Sequence, residues 1–404
     1  MSSYLRVLRF PDFRYLFAGQ AASVIGDRVV VVALALYVTR VTGSATDLGL
    51  VLCAQTLPLV SLLLFGGVWA DRISRRRIMV GTDLVRGVLH ALLAALIFTG
   101  LVRLWEIVVI EAAFGAAQAF FQPAYTGLIP QTVPESLIQD AKALTESMAN
   151  LGFLLGPALG AALVLTVGAA EAFSFDALTF FLSALLLRRV YARPRGGTEP
   201  EPVLRSLRAG WREVRSRPWV WVTIAVFAGA VLCVFAQWYA LAPLIARDAY
   251  GSAGVFGLCE SAAGVGAVAG AIAALRWRPR RPLAVAVLLT LGWPLQTGVF
   301  AAGAPLALVV GCSVAAGFGF SLAMIWWETA LAYHIPPGAL SRVSAWDWMG
   351  SLALLPLGYV VAGPLADAFG ARTVLGVGSA IGVLLLAIAL LPRSTRELGP
   401  DPPS

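Results

Sequence analysis

The chain has 404 residues, 59% of them hydrophobic and 13% charged, and its mean hydropathy is +0.81. A soluble domain carries about 25% charged residues, so this composition excludes a soluble protein of the same length. The formal net charge of +8 would suit a nucleic-acid partner, but the positions of the charges, given below, argue against one.

The sequence predicts an all-α integral membrane protein with twelve transmembrane helices. Twelve apolar segments reach the roughly 20 residues that a helix needs to cross a hydrocarbon core. Strands of a membrane barrel need only about 10 alternating residues, so the length of the segments favours helices. The predicted spans are 15–40, 46–70, 78–99, 104–126, 143–167, 169–188, 219–244, 253–275, 283–302, 304–327, 343–368 and 371–391.

The basic residues predict the orientation of the chain. If both termini lie on one side, that side holds 24 of the 30 Lys and Arg residues and the other side holds four. This asymmetry follows the positive-inside rule and places both termini in the cytoplasm, with the protein in the inner (plasma) membrane. The arginines then face anionic lipid head groups, so membrane lipids are expected partners and nucleic acid is not.

The spans divide into two halves of six. We expect an N-terminal bundle at 1–188, a cytoplasmic linker at 189–218, a C-terminal bundle at 219–391 and a cytoplasmic tail at 392–404. The halves are pseudo-symmetric, since VPESLIQDA (133–141) aligns with IPPGALSRV (335–343) at an offset of about half the chain. Internal repeats of this kind are typical of transporters that bind their cargo near the membrane midplane.

The linker contains an amphipathic segment. Apolar residues recur at helical spacing and arginines fill the other face; the apolar positions are Val203, Leu204, Leu207, Trp211 and Val214. The pattern predicts a helix on the inner membrane surface or, as an equal alternative, a helix that only tethers the two halves.

Four acidic residues fall inside predicted spans: Asp27, Glu111, Asp176 and Glu260. A carboxylate at the centre of a span costs about 2.5–3.5 kcal/mol, so such residues are candidates for proton coupling or for substrate binding. The alternative for each is a structural pair with a fixed arginine. Arg28 follows Asp27 directly and therefore points about 100° away around the helix, which makes it a poor partner.

Asp83 and Arg86 receive a different interpretation. They lie three residues apart on one helix face near the predicted cytoplasmic end, and they can pair with each other or with the arginine-rich loop at 71–77. We interpret them as part of a cytoplasmic gate. Glu328, Arg342 and Asp347 occupy the corresponding place in the second half and receive the same interpretation.

The loop between the second and third predicted spans, within GGVWADRISRRRIM (66–79), resembles the loop signature of the major facilitator superfamily. The matching residues are Gly67, Asp71, Arg72, Arg75 and Arg76. Ser74 departs from the pattern, since the family usually has glycine there. The resemblance implies the major facilitator fold and a cytoplasmic gate motif, in which Asp71 accepts from the amino end of a neighbouring span. Signalling of topology alone is the alternative.

The fifth predicted span resembles the antiporter signature of the same family, at Gly152, Gly156, Pro157 and Gly160. Small residues four apart let helices approach closely, and a proline bends the helix. Residues 11–27, 120–134, 173–180 and 327–347 resemble the macrolide-efflux and enterobactin-exporter branch of the drug:proton antiporters. Glu111 departs from many of those relatives, which carry an arginine four residues before a Gly-Ala-Ala step.

These resemblances imply a secondary active transporter, and we expect a monomer that is not an enzyme and needs no cofactor. It would export an amphipathic small molecule, such as a drug, antibiotic or siderophore-like compound, by alternating access in exchange for protons or sodium. One alternative is an uptake carrier of the same fold. Another is a multispanning enzyme acting on lipids, which would need a catalytic or metal constellation. His90 and His334 are too few and too far apart to supply a metal site.

Overall fold

The computed structural model describes residues 3–191, 203–274, 276–277 and 279–398. Side chains are described in these ranges except at 3–5, 64, 67–72, 146, 150, 153–154, 203–207, 337–338 and 341. The described residues form helices and turns without any strand. Eleven of the described helical segments are long and apolar enough to cross a membrane.

The first half contains six long helices, which follow a short 3₁₀ helix at Ser3–Arg9. They are α1 (Pro11–Thr42), α2 (Ala45–Arg72), α3 (Arg75–Thr99), α4 (Leu104–Thr132), α5 (Ile138–Thr166) and α6 (Ala169–Leu187). Five of them are among the eleven candidate spans. The sixth, α5, is a helix of 29 residues whose described apolar stretch, Leu155–Thr166, is shorter.

The second half contains eleven helices, several of which share one span. They are α7 (Val203–Arg215), α8 (Pro218–Ala230), α9 (Ala236–Tyr250), α10 (Gly254–Ala274), α11 (Pro282–Thr290), α12 (Gly292–Ala301), α13 (Leu306–His334), α14 (Pro337–Leu352), α15 (Leu355–Phe369), α16 (Ala371–Ala389) and α17 (Arg393–Arg396). A π-helical segment, Val231–Phe235, joins α8 to α9.

Three spans of the second half are interrupted where the sequence analysis expected continuous helices. The seventh contains the π-helical segment, the ninth breaks at Leu291, and the eleventh breaks at Ala353–Leu354. Pro294 lies three residues after the break at Leu291, and Pro356 lies two residues after Leu354. Proline has no N–H to donate and its ring displaces the preceding turn, which explains both interruptions. The π-helical segment of the seventh span has no comparable signal in the sequence.

The helices divide into two compact units that do not coincide with the two halves of the sequence. The first unit comprises residues 1–41 and 50–200, and the second comprises 42–49 and 201–404. Within the second unit, Thr46 Oγ1 donates to Asp367 Oδ2 at 3.0 Å, and a Cβ at Gly363 would collide with Thr46. The first turn of α2 is therefore packed tightly on α15. The predicted bundle boundaries stay a prediction.

Helix α7 lies within the segment expected to be the linker, while 192–202 lie outside the described residues. It packs on α14, with the Trp211 and Trp346 ring centroids 5.0 Å apart. Gly210 permits this contact, because a Cβ there would lie 3.0 Å from Arg342 Cβ. Val214 is buried in the same region of the second unit. Both predicted roles of this helix, at the membrane surface or as a tether between the halves, stay predictions.

Candidate functional site

A cluster of ionisable side chains lies inside the first unit. Its members come from four helices: Asp27 from α1; Asp83, Arg86 and His90 from α3; Glu111 from α4; and Asp176 from α6. We call these six residues the buried polar cluster. The side chains on α3, α4 and α6 are at most 1% exposed, whereas that of Asp27 is 32% exposed. Among its members, Asp27 is therefore the accessible one.

Helix α3 supplies half of the cluster because of its sequence spacing. Asp83, Arg86 and His90 stand at positions i, i+3 and i+7, which bring them to one face of a helix. All three are buried, as is Gly87 between them. At Gly87 a Cβ would lie 2.9 Å from the ring of Phe181, so this face of α3 packs directly on α6.

Arg86 joins two of the acidic residues. Its Nη2 lies 2.5 Å from Asp83 Oδ1, and its Nη1 lies 3.9 Å from Asp27 Oδ2. The guanidinium carbon also lies 4.2 Å from the ring centroid of Phe121 and 4.3 Å from that of Phe180. Two aromatic rings and two carboxyl groups thus replace water around a buried cation. Arg86 is held in place by contacts with three other helices.

His90 joins the other two acidic residues. Its Nδ1 lies 2.5 Å from Asp176 Oδ2, and its Nε2 lies 3.8 Å from Glu111 Oε1. The imidazole stacks on Phe114, with ring centroids 4.2 Å apart and planes within 1° of parallel. A histidine between two carboxyl groups can take a proton from one and give it to the other, because its two ring nitrogens are distinct sites.

The side of His90 that faces Glu111 has unused hydrogen-bonding capacity. Among the buried side-chain atoms described, His90 Nε2 and both carboxyl oxygens of Glu111 make no hydrogen bond. Their 3.8 Å separation exceeds hydrogen-bonding distance. Buried polar groups are seldom left unsatisfied, so His90 Nε2 and the Glu111 carboxyl group can each make a further hydrogen bond.

Neutral polar side chains extend the cluster. Gln20 Nε2 donates to Ser183 Oγ at 3.0 Å, and Ser183 Oγ donates to Asp83 Oδ2 at 2.7 Å. The Thr179 hydroxyl donates to the backbone carbonyl of Asp176 at 2.7 Å. The contact from Ser183 fixes the orientation of the Asp83 carboxyl group on α3.

Glycines bring α1 close to its neighbours beside Asp27. A Cβ at Gly26 would collide with the Asp176 carboxylate, and it would lie 3.2 Å from the Cα of that residue. The cluster can therefore form only with glycine at position 26. This close approach was not evident from the sequence, since no motif marks it.

The glycines of the antiporter-type motif lie where α5 packs against α1. A Cβ at Gly152 would lie 2.5 Å from Val24 Cγ1, one at Gly160 would lie 2.5 Å from Val29 O, and one at Gly156 would collide with Arg28 Cβ. Gly152, Gly156, Pro157 and Gly160 are all buried. The motif thus packs α5 against the segment of α1 that carries Asp27.

The structure brings Asp27, Glu111 and Asp176 together and places Glu260 elsewhere. Glu260, on α10 in the second unit, accepts hydrogen bonds from Trp238 Nε1 at 2.8 Å and from the Tyr239 hydroxyl at 2.6 Å. The structural alternative considered for Asp27, a pair with a fixed arginine, has a candidate in Arg86.

The predicted gate residues that the structure describes do not all lie together. Asp83 and Arg86 pair with each other, but they belong to the buried polar cluster and were expected near the loop. The Arg75 guanidinium donates to Gly127 O at 2.6 Å, and that of Arg76 donates to Val190 O at 2.9 Å. The side chains of the remaining motif residues, Gly67, Asp71 and Arg72, lie outside the described ones. The gate role stays a prediction.

His90 is the functional candidate that the sequence analysis missed. It was considered only as a metal ligand, and the described residues contain no group of three or more His, Cys, Asp or Glu arranged for a metal ion. Its spacing from Asp83 and Arg86 was the available signal, because it extends the polar face of α3 by one turn.

The helical spans and the cluster inside a bundle define the class of protein. Eleven described helices are long and apolar enough to cross a membrane, and ionisable side chains lie between helices of the first unit, as in many membrane transporters. The chain belongs to the Major Facilitator Superfamily, whose model matches residues 16–353, and it is therefore a transporter and not an enzyme.

Similar proteins cover nearly the whole chain. It is 28% identical to the multidrug efflux pump Tap of Mycolicibacterium fortuitum, over 96% of this chain and 97% of that one. It is 27% identical to the enterobactin exporter EntS of Shigella boydii serotype 18, over 97% and 95%. These relatives come from the branch that the sequence resembles.

Solved structures have the same fold. A bacterial homolog of the human lysosomal transporter Spinster, in an inward-facing and unoccupied conformation, matches with a TM-score of 0.73 at 16% identity, over 98% of both chains. The nucleoside transporter NupG matches with a TM-score of 0.71 at 12% identity, over 94% of this chain and 98% of that one. At these identities the likeness supports the fold alone.

Proposed function

We propose that the protein is a secondary active transporter that exports an amphipathic small molecule in exchange for protons. The relatives named as an efflux pump and an enterobactin exporter support the direction and the class of cargo, a drug, antibiotic or siderophore-like compound. The observation that best supports protons as the coupling ion is the position of His90 between Asp176 and Glu111.

The charges of the cluster support protons as the coupling ion. The fully buried side chains of Asp83, Glu111 and Asp176 share their site with one guanidinium and one imidazole. Even with His90 charged, full ionisation of the three acids would leave an uncompensated negative charge away from water, which is costly. The cluster therefore holds at least one proton, and its release at one stage of the cycle would couple to cargo movement.

Sodium is a weaker candidate for the same place. A sodium or similar hard cation is bound by several oxygen ligands arranged around it, and carboxyl and carbonyl groups usually supply them. The cluster instead presents a guanidinium, an imidazole and the rings of Phe114, Phe121 and Phe180 to its carboxyl groups. A second cation beside Arg86 would be repelled by it.

Asp27 is the proposed entry point for the proton. It is the accessible member of the cluster, and its carboxyl group lies 3.9 Å from Arg86. Protonation of Asp27 would free Arg86 to interact more strongly with Asp83, which links the accessible acid to the buried ones. Such a change at one charge is the kind of local event that can bias a two-state transporter.

We further propose that the protein is a monomer in the plasma membrane with both termini in the cytoplasm. The asymmetry of Lys and Arg along the chain supports this orientation. Contacts of the arginine-rich segments with anionic lipids would stabilise it.

The direction and the coupling can be tested in everted membrane vesicles. We expect a fluorescent cargo analogue to accumulate when the vesicle interior is made acidic. This accumulation should stop when the pH gradient is collapsed. Accumulation that needs an alkaline interior would instead indicate the uptake carrier. A sodium gradient should have no effect at constant pH.

We expect Asp27→Asn to abolish accumulation driven by the pH gradient, because the amide cannot exchange a proton. Energy-independent exchange of cargo across the membrane should remain. Asp248→Asn is the matched control, since Asp248 is an exposed acid that pairs with Arg247. If Asp27→Asn leaves efflux and its pH dependence intact, Asp27 is not the coupling group.

A further inference from the structure

The second unit contains a cavity that the proposed proton site does not use. It has a volume of about 330 Å³ and is lined by residues of α8, α11, α13, α14 and α16. Binding sites for small molecules usually have volumes of about 300–1,000 Å³, so this cavity can hold one.

The cavity is acidic. Glu328 and Asp347 line it, and its described lining contains no basic residue. Asp347 accepts a hydrogen bond from Trp327 Nε1 at 2.9 Å and a weaker one from the Ser351 hydroxyl at 3.5 Å. Both donors are neutral, so the described contacts of Asp347 leave its charge without a counterion. A carboxylate in such a place favours a cationic ligand.

The rest of the lining is aromatic and aliphatic. Phe227, Phe320, Trp327 and Trp348 contribute rings, and Phe227 stacks on Phe320 with centroids 6.3 Å apart. Aromatic faces attract organic cations, and an apolar wall excludes the hydration shell that an inorganic ion would retain. A metal ion would also need several oxygen ligands, which this lining does not place together.

We infer that this cavity binds a monovalent organic cation with an apolar body, its charge toward Asp347 and its hydrocarbon against the aromatic wall. The inference goes beyond the proposed function, since binding inside the second unit requires neither transport nor a pH gradient. The cavity would serve as a binding site whether or not the buried polar cluster carries protons.

Two probes of the same shape and opposite charge test the inference. The full-length protein in detergent is titrated with tetraphenylphosphonium and with tetraphenylborate, and binding is measured by equilibrium dialysis and calorimetry. We expect saturable binding of the cation and at least about tenfold weaker binding of the anion. Equal binding of the two probes would overturn the inference.

Binding to variants tests whether the cation occupies this cavity. Asp347→Asn should weaken binding of tetraphenylphosphonium by about tenfold or more, because it removes the unpaired charge. Asp367→Asn is the matched control at the other end of the same span, where Asp367 accepts from Thr46. Cation binding that Asp347→Asn leaves unchanged would show that the probe binds elsewhere and would overturn the inference.

A second variant keeps the test decisive if Asp347→Asn fails to fold. Trp348 lines the cavity but is 60% exposed, so Trp348→Leu should fold, as checked by gel filtration and thermal unfolding. It should weaken binding of the cation more than that of the anion, because it removes an aromatic face. If Asp347→Asn aggregates, an unchanged affinity in Trp348→Leu overturns the inference.

Discussion

His90 contacts carboxyl groups on two different helices, with one short contact to Asp176 and one longer contact to Glu111. The short contact fixes the orientation of the ring, and the longer one leaves capacity for a further bond. A small rotation of the imidazole ring, or a shift of α4, would shorten the contact with Glu111 and lengthen the one with Asp176. The cluster therefore contains one residue whose protonation and position can change together.

Replacing His90 by glutamine should separate transport from its driving force. Glutamine can hydrogen-bond to Asp176 but cannot carry a proton. We expect cargo accumulation driven by a pH gradient to fall by about tenfold or more in vesicles, while exchange without a gradient continues.

His334→Gln is the control, because His334 is the other histidine of the chain and contacts the backbone of its own helix at Ala330. An unchanged pH dependence in His90→Gln would remove His90 from the coupling mechanism.

The acids of the cluster could be predicted at the residue scale and their grouping could not. A charge inside an apolar run is visible in any sequence, so Asp27, Glu111 and Asp176 were identified as candidates. Which side of each helix faces the others depends on packing, and α1 approaches α6 through Gly26, which belongs to no motif. The separation of Glu260 from the rest has the same origin.

Helix α5 shows how an element supports the site without contacting it. Its glycines remove side-chain volume along one face, and that face packs on the turn of α1 that carries Asp27. The resemblance to an antiporter signature pointed to these positions, and the structure places Gly152, Gly156 and Gly160 against α1. The partner helix could not be read from the motif, because small residues permit close contact with any neighbour.

Gly156→Leu should test this packing. A leucine would overlap the backbone of α1 at Arg28, and overpacking of this kind costs about 1–3 kcal/mol. We expect a lower unfolding temperature in detergent and loss of efflux driven by the pH gradient.

Ala158→Leu, two residues away on the exposed side of α5, introduces the same leucine side chain and should change neither property. Equal effects of the two changes would mean that the glycine face does not hold α1.

The number, length and helical nature of the elements were largely predictable, because hydrocarbon thickness sets the length of a span. The interruptions of the seventh, ninth and eleventh spans were not expected. Pro294 and Pro356 were visible, but prolines also occur within unbroken helices of this chain, as at Pro123 in α4 and Pro157 in α5. The effect of a proline depends on whether neighbouring helices satisfy the freed backbone groups.

At the scale of the whole molecule, the distribution of arginines makes a prediction about sidedness. In a background without the four native cysteines, Arg77→Cys should react with a membrane-impermeant maleimide only from the cytoplasmic side. Val41→Cys should react only from the outside. Both positions are exposed, so accessibility does not limit labelling.

Labelling is compared in intact cells and in everted vesicles of the same preparation. Reaction of Arg77→Cys in intact cells would reverse the orientation inferred from the positive-inside rule, and the gate motif could not then lie at the inner membrane face. Labelling of the parent protein without the four native cysteines gives the background level.

The assignment of residues 42–49 to the second unit restricts how this protein can be recombined with its relatives. A chimaera that exchanges halves at the linker would set a foreign Thr46 and Gly49 against the native Tyr359, Gly363 and Asp367. Exchange of 42–49 together with the second half preserves that fit. A working chimaera therefore needs one junction between α1 and α2 and a second one in the linker.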